Sequence, residues 1–283
     1  VLPSFLCIGA QRAGTTWLYR ILTSHPQIYV PARRKEVHFF DWYYDRGIEW
    51  YVKFFPSDSK AGKYRAVGEV TPDYLHESNC PSRIREILPD AKLIAILRNP
   101  VDRAYSHYGM VLRDGVYTGA FERIVYSRKE AIEKNIIERG FYSRLIERYL
   151  HFFERDRMLI LIFERATGDH EHTKRTLASF LGLDVQLFPP DVGRERINPV
   201  NMPRARKAYA FAKKSAEKLR ELDIDWVVNL AKRIGIHRLF GKTGQLPPLG
   251  DEIRGHLTDL YRSDIQRLES MLHIELAEWY RKS

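Results

Sequence analysis

Residues 4–24, SFLCIGAQRAGTTWLYRILTS, decide the fold. Phe5 to Ile8 form a short apolar run ending in a β-branched residue, the mark of a buried strand. Gly9-Ala-Gln-Arg-Ala-Gly14 then places two flexible positions where a backbone has to wrap tightly, and Thr15-Thr16 open an apolar helical pattern through Trp17, Leu18, Ile21 and Leu22. A strand, a glycine-flanked turn and a helix in that order aim unpaired amide N–H groups and the positive end of the helix at an anion. The spacing Gly9-x4-Gly14-Thr15-Thr16 is close to the phosphate loop G-x4-G-K-[ST], with Thr15 where a nucleoside triphosphatase carries lysine. A Gly-x4-Gly match alone is equally what a plain strand-to-helix turn gives, so the rest of the chain has to decide.

Working outward, the next strong strand is 91–97, AKLIAIL, followed by Arg98. A phosphate-loop triphosphatase needs an acidic Mg²⁺ ligand at the end of a neighbouring strand. A cation there repels Mg²⁺, so the pair of junctions reads as a metal-free site for anionic groups. Asn99 suits an N-cap, Pro100 the first helical position and Asp102 the third. Asn99, Arg103 and Ser106 then share a helix face and, with Arg98, offer a second pocket of cations and hydroxyl.

Between these junctions lies Arg33-Arg34-Lys35-Glu36-Val37-His38-Phe39-Phe40-Asp41. Glu36 and His38 alternate with Val37 and Phe39, so an extended backbone projects the acid and the imidazole from one face while the apolar residues anchor the other. A solvated charged loop beside a Phe-Phe anchor is the plainer alternative. Trp42 to Phe55 is rich in aromatic residues, most of them expected in the core. Residues 65–71, RAVGEVT, read as a strand that brings Glu69 to the site or pairs it with a surface cation. Further strand and helix patterns follow: a helix over 80–88, helices over 121–134 and 140–155, an apolar strand over 158–163, and a helix over 171–181 ending at Gly182. Strands alternating with helices imply an α/β fold, a P-loop-like three-layer arrangement with a central parallel sheet flanked by helices. The last third, with helices over 204–222 and 251–280 around a glycine-rich basic loop at 240–248, adds a helical C-terminal portion. The expected organisation is a single domain over 1–283, its core at about 1–190 and its helical, cofactor-closing region at about 191–283.

The 283 residues, 44% hydrophobic and 29% charged, are enough for one substantial core. A net charge of +10 indicates affinity for anions, but the cations are scattered, so a polyanionic small ligand or acidic substrate explains the charge as well as nucleic acid does. Cys7 and Cys80 give neither metal spacing nor a disulfide framework. Without a bilayer-length apolar stretch or a signal-peptide pattern, the expectation is a cytoplasmic protein with no membrane or nucleic-acid partner.

Taken together, these motifs resemble the sulfotransferases that use 3′-phosphoadenosine 5′-phosphosulfate (PAPS), in the branch of heparan-sulfate sulfotransferase domains and bacterial relatives. The matching residues are Gly9 to Thr16, Lys35 to Asp41, Gly47-Ile-Glu-Trp-Tyr51 with Phe54-Phe-Pro56, Leu97 to Ser106 and Gly241-Lys-Thr-Gly244. The resemblance implies an enzyme of the EC 2.8.2 type with PAPS as donor and 3′,5′-ADP as product. Gly9, Gln11, Arg12, Ala13, Gly14, Thr15 and Thr16 would hold the 5′ phosphosulfate, Arg98 and Ser106 the 3′ phosphate, and Lys242, Thr243 and Gly244 would close over the cofactor. Glu36 would be the base for the acceptor, flanked by Arg12 and His38, with no metal. Two positions depart from the pattern. Arg12 stands where many relatives have lysine, and a guanidinium holds charge but scarcely gives up a proton. Val70 stands where glycan-modifying relatives often have lysine after the acid equivalent to Glu69, which leaves the acceptor open among a small molecule, a glycan and a carrier-bound group. The rival classes are a phosphate-loop nucleotide kinase or NTPase, betrayed by Mg²⁺-dependent ATP turnover, and a noncatalytic nucleotide-binding module, betrayed by binding without product.

Overall fold

In the computed structural model, residues 1–194, 203–235 and 246–281 are described. Five strands, β1 (Phe5–Gly9), β2 (Ile28–Tyr29), β3 (Ala66–Val70), β4 (Lys92–Leu97) and β5 (Met158–Ile162), form one parallel sheet in the order β2-β3-β1-β4-β5. The central strand is the one that opens the chain. Phe5 to Ile8 are all fully buried, yet only Phe5 and Cys7 join the cluster built with Trp17, Leu18, Ile21 and Leu22 of the helix Thr15–Ser24 and Leu177, Ala178 and Leu181 of the helix His170–Leu181. Leu6 and Ile8 point to the other face. Burial on both faces is what a parallel sheet between helix layers requires, and it explains why β1, β4 and β5 read as continuous apolar runs. The α/β, P-loop-like arrangement expected from the sequence is the one that forms.

Because every strand runs the same way, the segments that leave β1, β3, β4 and β5 emerge at one edge of the sheet. Ala10 N–H donates to the Ile96 carbonyl at 2.8 Å and Thr71 N–H to the Cys7 carbonyl at 3.0 Å, which ties the three central exits together. Gly68, in mid-β3, lies against Phe5 so closely that a Cβ would come within 2.5 Å of its ring.

The described residues fall into two compact units: 1–100, 141–194 and 261–279 with the sheet, and 101–140, 203–235, 246–260 and 280–281, which is helical. The helix expected over 121–134 is two, Phe121–Tyr126 and Arg128–Lys134. Ser127 breaks it by accepting a hydrogen bond from Glu130 N–H, the S-x-x-E cap that the sequence carries in plain view. The C-terminal pattern likewise gives Asp251–Leu272 and a short 3₁₀ turn at Ala277–Trp279, and the helix Asp225–Ile234 was not foreseen. The helical unit contains a groove of about 360 Å³ lined by Tyr105, Tyr108, Phe121, Glu122 and residues 246–250. No helix among the described residues is long and apolar enough to cross a membrane.

Candidate functional site

The β1 exit is a glycine-flanked turn that runs directly into a helix start. The helix Thr15–Ser24 has no capping side chain at Gly14 and no acid in its first turn, so its own residues there do not compensate its positive end. Gly14 takes φ +100°, and a Cβ there would meet the Phe163 ring at 2.5 Å; both facts require glycine. Gly9 ends β1 and Ala13 is fully buried, while Gln11 reaches Asp73 Oδ2 at 3.4 Å. Thr15 is buried as the first helical residue and Thr16 is exposed. Arg12 sits at φ 68°, a left-handed conformation uncommon outside glycine and concentrated at functional sites.

Arg98, leaving β4, meets this loop. Its Nη1 donates to the Arg12 carbonyl at 3.5 Å and its guanidinium lies 5.1 Å from the Phe163 ring centroid. The cations of the two junctions therefore share one end of the sheet. The neighbouring amide is already spoken for: Asn99 N–H donates to Glu164 Oε1 at 2.9 Å. Ser106 is half-buried on the helix Pro100–Arg113, in the helical unit. Arg103, expected beside it, is fully buried, with its guanidinium turned to the Ile136 carbonyl and His107, so it is a packing residue and not part of an anion pocket. Lys242, Thr243 and Gly244 lie outside the described residues.

The segment 33–41 comes to the same edge, but not as an extended strand. His38 adopts φ 58°, and its carbonyl accepts from Trp42 and Tyr43 N–H, so the chain turns at the imidazole. Glu36 and His38 still meet, Oε2 to Nε2 at 3.7 Å, while Val37, Phe39 and Phe40 are buried. The other imidazole nitrogen is 2.8 Å from Asp41 Oδ2. Lys35 links this turn to the loop: its ammonium donates to Thr16 Oγ1 at 3.1 Å and to Glu36 Oε1 at 3.0 Å. Burial pushes the Glu36 carboxyl up, but its ion pair with His38 and the Lys35 charge outweigh it and hold the group at about 2. Burial pulls His38 down, but its bonds to Asp41 and Glu36 prevail and raise it to about 10, so the ring is an imidazolium at neutral pH.

Lys35 and Asp41 were inside the quoted motif but not singled out, because their partners become visible only when the turn closes. Trp42, in the aromatic stretch, is 62% exposed and stacks on the His38 ring at 3.8 Å. Trp50, Tyr51, Phe54 and Phe55 are buried as expected. Glu69 pairs with no cation among the described residues. It is fully buried behind the turn and accepts from Tyr51 OH at 2.6 Å, Thr71 Oγ1 at 2.7 Å and Tyr74 OH at 3.0 Å. Burial raises its carboxyl above the ordinary range, against the three hydroxyls that lower it.

Comparison with known proteins agrees with this geometry. Residues 2–221 match the sulfotransferase domain family. The chain is 34% identical over 197 residues to the bifunctional heparan sulfate N-deacetylase/N-sulfotransferase 3 of Homo sapiens, covering 64% of this chain and 22% of that protein. It is 33% identical over 186 residues to the heparan sulfate glucosamine 3-O-sulfotransferase 3B1 of Mus musculus, covering 64% of this chain and 46% of that protein. The chain thus spans less than half the length of these relatives. Among solved structures, a sulfotransferase from Alicyclobacillus acidocaldarius superimposes with a TM-score of 0.72 at 26% identity, over 99% of this chain and all of the other. A strand-turn-helix opening, a carboxylate tied to it through one ammonium, and a family match over most of the chain lead to one conclusion: this chain belongs to the sulfotransferase domain family and is an enzyme of the sulfotransferase type.

Proposed function

We propose that the chain transfers a sulfuryl group from PAPS to a hydroxyl or amine, with Glu36 taking the acceptor proton and the chain serving as one transfer domain. The observation that carries this reading is the Lys35 bridge, which sets the Glu36 carboxylate one side chain away from the phosphate-type loop. The residues present suit the donor: a helix start without its own cap or acid, and the cations Arg12, Lys35 and Arg98, answer to a ligand with anions at two ends. When bound, PAPS supplies a sulfuryl group joined to a phosphate leaving group.

The chain's own part is positioning and charge. Arg12 and the loop amides hold negative charge without proton transfer, and Arg98 holds the more distant phosphate. His38 is a proton donor at neutral pH and therefore orients Glu36 rather than competing with it as base. Glu36 at about 2 is ionised but weakly basic while it keeps both partners. An anion in the loop draws on the same Lys35 ammonium, and each contact that Glu36 gives up raises its basicity. Exposed Trp42 beside the turn offers the flat face on which a ring-shaped acceptor, a sugar among them, would stack.

The test is transfer of label from ³⁵S-PAPS to a panel of N-desulfated heparan oligosaccharides, simple phenols and aliphatic alcohols, with release of 3′,5′-ADP followed in parallel. Labelled product and stoichiometric 3′,5′-ADP are expected for at least one acceptor class. Mg²⁺-dependent ATP hydrolysis, or 3′,5′-ADP binding with no transfer to any class, contradicts the proposal.

A further inference from the structure

The buried acid behind the turn has no role in the proposed transfer, yet three hydroxyls converge on it. Glu69 lies on β3 and is fully buried, and its partners are three hydroxyls rather than a cation. Two of those hydroxyls are also acceptors. Thr71 Oγ1 accepts from Val37 N–H at 3.1 Å, and Tyr74 OH accepts from Phe39 N–H at 2.8 Å and Phe40 N–H at 3.4 Å. A hydroxyl has one proton and two lone pairs, whereas an ionised carboxylate can only accept. With Glu69 ionised, the protons of Thr71 and Tyr74 must point at it, which leaves their lone pairs to the amides of the turn.

We infer that Glu69 is a positioning residue for sulfuryl transfer: by fixing the direction of the Thr71 and Tyr74 hydroxyl protons it clamps the backbone of residues 37–40 and so holds Glu36 and His38 in place. The inference rests on the sulfotransferase reading for its kinetic consequence but not for its structural one. The amides involved flank His38, the residue in the left-handed conformation, so the clamp acts where the turn departs most from relaxed backbone. Glu69→Gln replaces one acceptor oxygen by a donor NH₂. The hydroxyl facing that NH₂ then has to accept from it and loses the lone pair, or the proton direction, that served the turn.

Hydrogen exchange on the protein without ligand reads the clamp directly. Glu69→Gln and Thr71→Val should each speed exchange of the Val37, Phe39 and Phe40 amides by about 10-fold or more, the loosening expected when a buried hydrogen bond is lost. Thr71→Ser, which keeps the hydroxyl, should stay near wild type, and the peptide over residues 9–16 should not change in any variant. In turnover of ³⁵S-PAPS with the acceptor found active, Glu69→Gln and Thr71→Val should lower kcat by up to about 10²-fold, as small misplacements of a reacting group do, with the KM for PAPS held and Thr71→Ser rescuing. Wild-type exchange at residues 37–40 in both disruptive variants would overturn the clamp. So would faster exchange with kcat intact, or a kcat loss that Thr71→Ser fails to rescue. A wild-type protein that binds no 3′,5′-ADP and transfers no label defeats the sulfotransferase reading instead, and leaves the exchange result standing. Should Glu69→Gln not fold, the Thr71 pair alone decides.

Discussion

Glu36 and Glu69 are the same side chain in two opposite settings. At the mouth, Glu36 faces an ammonium and an imidazolium, is 40% exposed at its side chain and is held far below the usual carboxylate range. Behind it, Glu69 is sealed among phenols and a threonine, and burial lifts it above that range. One is a half-exposed carboxylate at the mouth of the turn, the other a carboxyl group confined to the frame. Environments that push two nearby acids in opposite directions are how a fold assigns different tasks to identical groups.

The sharpest way to break this division is at the mouth. Glu36→Gln should lower turnover by about 10²–10⁴-fold, the usual cost of losing a general base, with little change in donor affinity. Next comes the anion cradle. Arg98→Ala removes a charge-assisted contact and should weaken 3′,5′-ADP about 10- to 100-fold in calorimetry, while 5′-AMP, which lacks the 3′ phosphate, loses much less. An equal loss for both nucleotides would place Arg98 at the 5′ end. A smaller effect is structural: Gly14→Ala forces a side chain into the left-handed region and against Phe163, and should lower the unfolding free energy by about 1–3 kcal/mol in urea denaturation.

The smallest effects are those of pH, and the two acids should pull apart there. His38 is raised from 6.5 to about 10, so its contribution to stability is complete below 6.5 and disappears as pH climbs through 10. Glu36 is depressed from 4.5 to about 2, so its contribution is present above 4.5 and fades as pH falls toward 2. Glu69 runs the other way: its raised carboxyl favours the folded state only once protonated, so acid relieves a cost. Denaturant midpoints across pH should show the alkaline loss vanish in His38→Gln and the acid loss shrink in Glu36→Gln. A wild-type alkaline limb in His38→Gln would assign that limb to another group.

The β1 exit was legible in sequence because its signals are local: an apolar run, two glycines at fixed spacing and a helical pattern. The meeting of Glu36 with His38 was anticipated for a reason that proved different. Alternation suggested an extended face, whereas a positive φ at His38 makes a turn, and a single non-glycine residue gives no sign of that conformation in one sequence. Arg103 misled because a shared helix face says which residues are neighbours, not whether the face is open. Glu69 was undecided between site and surface because its fate depends on Tyr51 and Tyr74, brought to it only when the sheet and the aromatic segment pack. Sequence spacing locates charges, and long-range packing decides which of them face a ligand.

The most direct test is titration of 3′,5′-ADP into wild type, Glu36→Gln and Arg12→Ala by calorimetry, under one buffer and salt. With the loop gripping the nucleotide and Glu36 reserved for the acceptor proton, affinity in Glu36→Gln should equal wild type and affinity in Arg12→Ala should fall about 10- to 100-fold. Undiminished binding by Arg12→Ala, or a comparable loss in Glu36→Gln, would contradict that separation of binding from chemistry.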